Sequence, residues 1–130
     1  MQSQYLILAE NIVYKNNKLS CINIMDQFLV IKQPTEAYFD LAAICGPGWD
    51  EGEYTISIKV QLDDEEIFEI GASKINVPHK DFVYNALAQN LKVAIKEDIK
   101  YVKFYVYKDN DLVMQRDYKV AAMFVPQEVA

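Results

Sequence analysis

The segment that most constrains the fold is EYTISIKVQL, residues 53 to 62, in which apolar and polar side chains alternate without a break. A period of two residues places alternate side chains on opposite faces of a strand, so the segment predicts a β-strand with one buried face. The run DDEE at 63 to 66 is too charged for a protein interior, and a shorter apolar run, IFEIGAS, follows it. Together these patterns predict a β-hairpin over residues 53 to 72.

Similar patterns recur towards both ends of the chain. YVKFYVY at 101 to 107 alternates, KDND provides a turn and LVMQRDYKV returns, which predicts a second hairpin. QYLILAENIVYK, the pair Asn16 and Asn17, and KLSCINIMDQFLVI predict a third, because asparagine tolerates the positive φ of a tight turn. EAYFDLAAIC at 36 to 45 is apolar on both faces and predicts a strand in the middle of a sheet.

The segment VYNALAQNLKVAIKED, which begins at Val83, fits two structures. Its apolar residues form a helical face, but they also fit an alternating strand that is interrupted at Gln89. We expect residues 83–96 to form a strand, because the segments around it all have the β pattern. The fold class we predict is therefore all-β, a single immunoglobulin-like antiparallel β-sandwich of about seven or eight strands that spans residues 1–130 as one domain.

Composition limits the partners and the cell compartment. A formal net charge of -6 argues against nucleic acid, because binding a polyanion requires clustered Lys and Arg. The first residues, MQSQYLILAENIVYKNN, lack the basic start of a signal peptide, and Glu10 breaks their apolar stretch, so we expect no membrane anchor and a cytoplasmic protein. Cys21 and Cys45 each lie in an apolar run, which favours free cysteines in the core.

Three stretches carry a resemblance to a known family. AENIVYKNNKLSCINIMDQFLV resembles the opening of a family of small uncharacterised bacterial β-sandwich proteins, in which a short strand, a turn ending in Gly-Lys or Asn-Lys, Leu-Ser and an apolar strand that reaches an Asp follow in order. GEYTISIKVQLDDEE and LKVAIKEDIKYVKFYVYKDNDLVMQRDYKV resemble the same family and also the closing strands of immunoglobulin-like sandwiches. The resemblance implies this fold and a bacterial origin, and it places Tyr101 at the corner tyrosine.

The sequence contains no catalytic signature. His79 is the single histidine, so a site of several histidines is excluded, and no Gly-x-Ser-x-Gly elbow or glycine-rich phosphate loop is present. DDEE and DND could supply oxygen ligands to calcium, but neither has the spacing of an EF-hand loop. We therefore expect no enzyme, no cofactor and no structural metal, and calcium binding at the loops is retained as an alternative.

The loop CGPGWDEGEY at 45 to 54 is the first candidate for a binding site. If the strands alternate in direction, this loop, the 73–82 connection, the KDND turn and the Asn16 turn all lie at one end of the sandwich. Loops on a rigid scaffold often carry binding residues. The opposing interpretation is a simple turn in which the tryptophan covers the end of the core. The candidate binding residues at this end are Trp49, Asp50, His79, Asp109 and Asp111.

The second candidate is a face of the YVKFYVY strand. Tyr101, Lys103, Tyr105 and Tyr107 lie opposite its apolar face, and protein interfaces are enriched in tyrosine. Either another segment covers these tyrosines, or they form an exposed interface for a protein partner or a homodimer. We therefore predict a non-enzymatic protein-binding or assembly module that uses a sheet face or edge. The alternative is a small-ligand or calcium site in the loops.

Overall fold

The computed structural model describes residues 5–16 and 18–122, and over this part of the chain it contains nine β-strands and no helix. The strands form a four-stranded sheet in the order β2-β1-β4-β7 and a five-stranded sheet in the order β3-β9-β8-β5-β6. Their bounds are β1 Tyr5–Lys15, β2 Lys18–Met25, β3 Phe28–Val30, β4 Thr35–Cys45, β5 Gly52–Leu62, β6 Phe68–Val77, β7 Tyr84–Ile95, β8 Tyr101–Lys108 and β9 Asp111–Ala122.

The core lies between the two sheets, where the inward side chains of alternating strands meet. Its centre is an aromatic cluster in which Phe39 and Phe104 approach edge to face, with 5.6 Å between ring centroids, and Tyr118 packs on Phe104 at 5.7 Å. Phe28 completes the cluster at 5.3 Å from Phe39. All four side chains are buried, so this cluster joins β3, β4, β8 and β9 across the sandwich.

A buried carboxylate ties three strands of the smaller sheet together. The β4–β7 register shifts at Asp40, and Asn90 on β7 has a positive φ of 57°. Asp40 is buried, and its two oxygens accept hydrogen bonds from the backbone N–H of Ile12 at 2.7 Å and of Asn90 at 2.8 Å. The side chain thereby supplies the acceptors that the irregular backbone of β1 and β7 lacks.

Most of the predicted strands and hairpins are confirmed. β5 pairs with β6, β8 pairs with β9 and β1 pairs with β2, each antiparallel. β4 lies between β1 and β7, as expected for a strand that is apolar on both faces. The ambiguous segment is the strand β7, and the break at Gln89 that interrupts its alternation lies beside the irregular Asn90.

One strand assignment is wrong, and it changes the count. KLSCINIMDQFLVI is not one strand, because the chain crosses from one sheet to the other at Asp26 and Gln27. β2 ends before this crossing, and β3 follows it as the edge strand of the larger sheet, parallel to β9. The described residues therefore form nine strands rather than seven or eight.

The extra strand also reverses the predicted position of the Asn16 turn. β1 begins at Tyr5, opposite Ile44 and next to the 46–51 loop, and runs away from that loop to Lys15. Asn16, with a positive φ of 53°, therefore lies at the end opposite the 46–51 loop, and Asn17 lies outside the described residues. We call the two ends the Trp49 end and the Asp63 end.

Candidate functional site

The Trp49 end brings together three of the predicted loops. The N–H of Gly48 donates to the carbonyl oxygen of Lys80 at 2.6 Å, and the ammonium of Lys80 lies 3.6 Å from the carboxylate of Asp50. At the β8–β9 turn, the N–H of Asp109 donates to the carbonyl oxygen of Thr55 at 2.7 Å. These contacts fix the 46–51 loop against the 78–83 connection and the β8–β9 turn against β5.

Trp49 is buried and belongs to the core. Its ring approaches Tyr54 edge to face with 5.7 Å between centroids. The ammonium of Lys108 lies 4.6 Å from the Trp49 ring centroid and 4.4 Å from that of Tyr54, which is cation–π distance. The tryptophan therefore closes this end of the core, and the chain's own lysine covers the aromatic pair.

The other candidate residues at this end lie on the surface. The carboxylate of Asp109 accepts a hydrogen bond from the N–H of Thr55 at 2.9 Å. His79 is exposed and packs edge to face on Phe82, with centroids 6.2 Å apart, and Asp111 is exposed at the start of β9. With Asp109 engaged in the turn and Trp49 in the core, the contacts at this end are those of a structural cap. Ligand binding here stays a prediction.

Metal binding has no ready donor set in the described residues. No group of three or more His, Cys, Asp or Glu side chains there is placed to hold an ion. At the opposite end, the carboxylate of Asp63 accepts hydrogen bonds from the N–H groups of Lys100 and Tyr101 at 3.0 and 2.8 Å. This carboxylate is used to cap a turn, and calcium binding stays a hypothesis to be tested by a rise in melting temperature.

The tyrosine face lies on the outer surface of the five-stranded sheet. Tyr101 is 42% exposed, whereas Lys103, Tyr105 and Tyr107 are half-buried. Tyr105 donates its hydroxyl hydrogen bond to Gln61 Oε1 of the neighbouring strand at 2.6 Å, and the ammonium of Lys59 lies 4.8 Å from the Tyr107 ring. Much of this face is therefore engaged in contacts within its own sheet.

A surface that the sequence did not identify lies where the chain crosses between the sheets. Ile22 and Ile24 on β2 are 55% and 69% exposed, Leu29 on β3 is 50% exposed, and Ile31, one residue beyond β3, is 70% exposed. β2 and β3 are edge strands of the two sheets in the described structure, and they are joined directly through residues 26 and 27. We call these four side chains the β2–β3 edge surface.

The opposite side of the sandwich carries a groove. It lies between β6 and β7, the other two edge strands of the described sheets, and it has a volume of about 260 Å³. The hydroxyl groups of Ser73 and Tyr84 meet across it at 3.0 Å. Gly71 on β6 lines the groove, and a Cβ at this position would meet no atom within 4 Å. We call this feature the β6–β7 groove; its apolar lining residues are Ile56, Ile58, Ile70, Ala72, Ala86, Leu87, Ala88 and Leu91.

Comparison with known proteins adds no assignment: no protein-family model and no curated protein sequence matches the chain. The resemblance to a family of small bacterial β-sandwich proteins therefore stays a prediction. No helix in the described part of the chain is long and apolar enough to cross a membrane.

Proposed function

We propose that the protein is a non-enzymatic protein-binding or assembly module, and that the β2–β3 edge surface is its contact site. The observation that carries the proposal is the exposure of four branched aliphatic side chains, three on the edge strands β2 and β3 and the fourth, Ile31, directly after β3. Edge strands expose backbone hydrogen-bonding groups, and proteins that stay monomeric protect them with charges, prolines or bulges. Exposed apolar side chains along such an edge are typical of a surface that another protein covers.

The exposed fraction of these four side chains indicates how much of the binding free energy apolar contact could supply and how much would have to come from backbone pairing. Burying a Leu or Ile completely is worth roughly 1.5–3 kcal/mol, so covering the exposed half or more of these four side chains contributes roughly 4–8 kcal/mol. Association costs about 4–15 kcal/mol in lost translational and rotational freedom. Apolar contact alone would thus give a weak complex, and a partner strand that also pairs with the β2 or β3 backbone supplies the rest.

The tyrosine face is the second surface that could serve this function. Tyr101 adds an exposed aromatic ring at one end of the face. Because Tyr105 and Tyr107 already contact side chains of β5, a partner would gain less from covering them than from covering exposed aliphatic side chains. We therefore place the interface at the edge and use the tyrosine face as the comparison surface.

We also propose that the sandwich is immunoglobulin-like. In support, β5, β8 and β9 adjoin in the order expected for the C, F and G strands, and β1, β4 and β7 adjoin in the order of A, B and E. Under this assignment β2 and β6 are additional edge strands and β3 a separate segment beside the last strand. Cys21 and Cys45 are both free cysteines, which is in keeping with the proposed cytoplasmic location.

The test compares capture of proteins from the native cell lysate by three forms of the chain. The double variant Ile24→Lys/Leu29→Lys places charges on the edge surface, and Leu112→Lys places one on a similarly exposed residue of β9 as the matched control. The proposal expects a protein, either another chain or a tagged second copy of this one, that the wild type and the control retain and the double variant loses. If the three forms retain the same proteins, the edge surface is not a binding site.

A further inference from the structure

The two sides of the sandwich differ in shape. The β2–β3 side presents side chains that project into solvent, whereas the β6–β7 side presents a hollow lined by residues such as Ile58 of the core and the half-buried Leu91. Gly71 leaves room in the groove, since a Cβ there would meet no atom within 4 Å. The groove therefore offers open space beside apolar side chains, and its accessible surface is more polar than apolar.

We propose that the β2–β3 edge surface of one copy docks on the β6–β7 groove of a second copy. The inference rests on the proposed function and names the partner as this chain itself. Strand direction supports it. β2 and β7 run in opposite directions, and so do β3 and β6. A second copy placed beside the first in the same orientation therefore extends both sheets with antiparallel pairs, the more frequent type of pairing.

Charge supports the same docking. Glu66 and Glu69 are exposed beside the start of β6, at the Asp63 end, and neither makes an ion pair with another described residue. On the opposite side, Lys18 begins β2 and Lys32 follows β3, and both are exposed at the same end. Side-by-side copies in one orientation would bring these lysines near these glutamates. Complementary charge of this kind fixes the register of the two copies. It also disfavours contact between two β2–β3 sides or between two β6–β7 sides, because like charges would then face each other.

The two docking surfaces are different, so an open complex of any length keeps one edge surface unoccupied at one end and one groove unoccupied at the other. Such a heterologous contact adds copies in one direction and ends only where a ring closes. The proposal therefore predicts growth with concentration rather than a dimer that saturates. It also predicts that damage to either side alone stops growth.

The experiment uses light scattering over a concentration series and two kinds of variant. Ile24→Lys charges the edge surface, which is an exposed substitution that should change folding stability by less than about 0.5 kcal/mol. Gly71→Val fills the groove from a position with open space, and Glu69→Lys reverses a charge beside it as a second groove-side variant. Leu112→Lys is the control, and circular dichroism with urea unfolding confirms that each variant folds.

We expect the average mass of the wild type and of Leu112→Lys to rise with concentration, while Ile24→Lys and Gly71→Val each stay at the monomer mass. An equimolar mixture of these two variants retains one intact surface of each kind and should double in mass without growing further. A wild type that stays monomeric overturns the inference, and so does association that Ile24→Lys abolishes but both groove-side variants leave unchanged. In either case, the lysate comparison above still decides whether the edge surface binds a protein.

Discussion

Replacement of Asp40 by alanine tests whether a single buried carboxylate holds the smaller sheet together. Its two hydrogen bonds, at 2.7 and 2.8 Å, satisfy the backbone N–H groups of Ile12 and Asn90. A hydrogen bond to a charged group contributes about 1.5–3 kcal/mol, and the N–H of Ile12, which is buried, would be left without a partner at a similar cost. We therefore expect Asp40→Ala to lower the free energy of unfolding by roughly 3–5 kcal/mol, a large share of the roughly 5–15 kcal/mol typical of a domain.

Urea unfolding measures this change directly. With a slope of about 1–3 kcal/mol per molar urea, the expected loss moves the midpoint down by roughly 2 M while the slope stays constant. Asp40→Asn should lie between the wild type and the alanine variant, because the amide keeps one acceptor oxygen and faces the second N–H with a donor.

Glu36 provides the matched control on the same strand. Its carboxylate is exposed and lies 3.7 Å from the ammonium of Lys92, and such surface pairs are worth at most about 1 kcal/mol. We expect Glu36→Ala to move the urea midpoint far less than Asp40→Ala. If Asp40→Ala unfolds within about 1 kcal/mol of the wild type, the carboxylate does not support the irregular backbone as we argue.

Three further predictions follow from individual contacts. Gly46→Ala should lower the free energy of unfolding by at least about 2 kcal/mol. The reason is that Gly46 has a φ of +92° and a Cβ there would lie 2.5 Å from the carbonyl oxygen of Phe82. A melting temperature equal to that of the wild type would contradict this. Burial raises the pKa of the Cys45 thiol to about 11. At pH 8 a thiol reagent should therefore modify Cys45 only after urea unfolds the chain. Rapid modification of Cys45 in the native protein would show that the core around it opens to solvent. Tyr105→Asp removes one hydrogen bond, to Gln61 on the outer sheet face, so light scattering should show unchanged association; dissociation would move the interface to the tyrosine face.

The strands that a sequence predicts best are those in which one face is buried and the other is exposed to solvent. β5 is such a strand, since Ile56 and Ile58 alternate with Thr55 and Lys59, and its bounds follow from the pattern within a residue or two. The β7 strand was harder to recognise because its alternation fails at Gln89. The structure gives the reason, which is the positive φ of Asn90 and the carboxylate of Asp40 that receives its N–H. The hydrogen bond from Asn90 to Asp40, a residue distant in sequence, therefore stabilises this irregular backbone. In the sequence, the irregularity is visible only as an interruption of the apolar and polar alternation.

The crossing at Asp26 and Gln27 could not be predicted in the same way. Apolar residues continue through both sides of the crossing, so the hydrophobic pattern of β2 and β3 resembles one long strand. The distinction depends on Phe28, which leaves the smaller sheet and packs with Phe39 and Tyr118 in the core. Phe39 and Tyr118 are distant from Phe28 in sequence, and a pattern of polar and apolar residues does not show which apolar side chains will pack together.

The same crossing explains why the sequence does not indicate the β2–β3 edge surface as a candidate interface, although it does indicate the residues of the Trp49 end. Residues such as Trp49 and Gly48 attract notice in a sequence because their types are rare and suited to loops, yet in the structure the tryptophan closes the core. Ile22 and Leu29 are ordinary residues of a strand, and their place in the proposed interface follows from sheet order, which leaves β2 and β3 at adjacent edges with these side chains exposed. Residue type is therefore a poor guide to a surface proposed to bind through main-chain pairing and aliphatic contact, because strands in the middle of the sandwich contain the same residues.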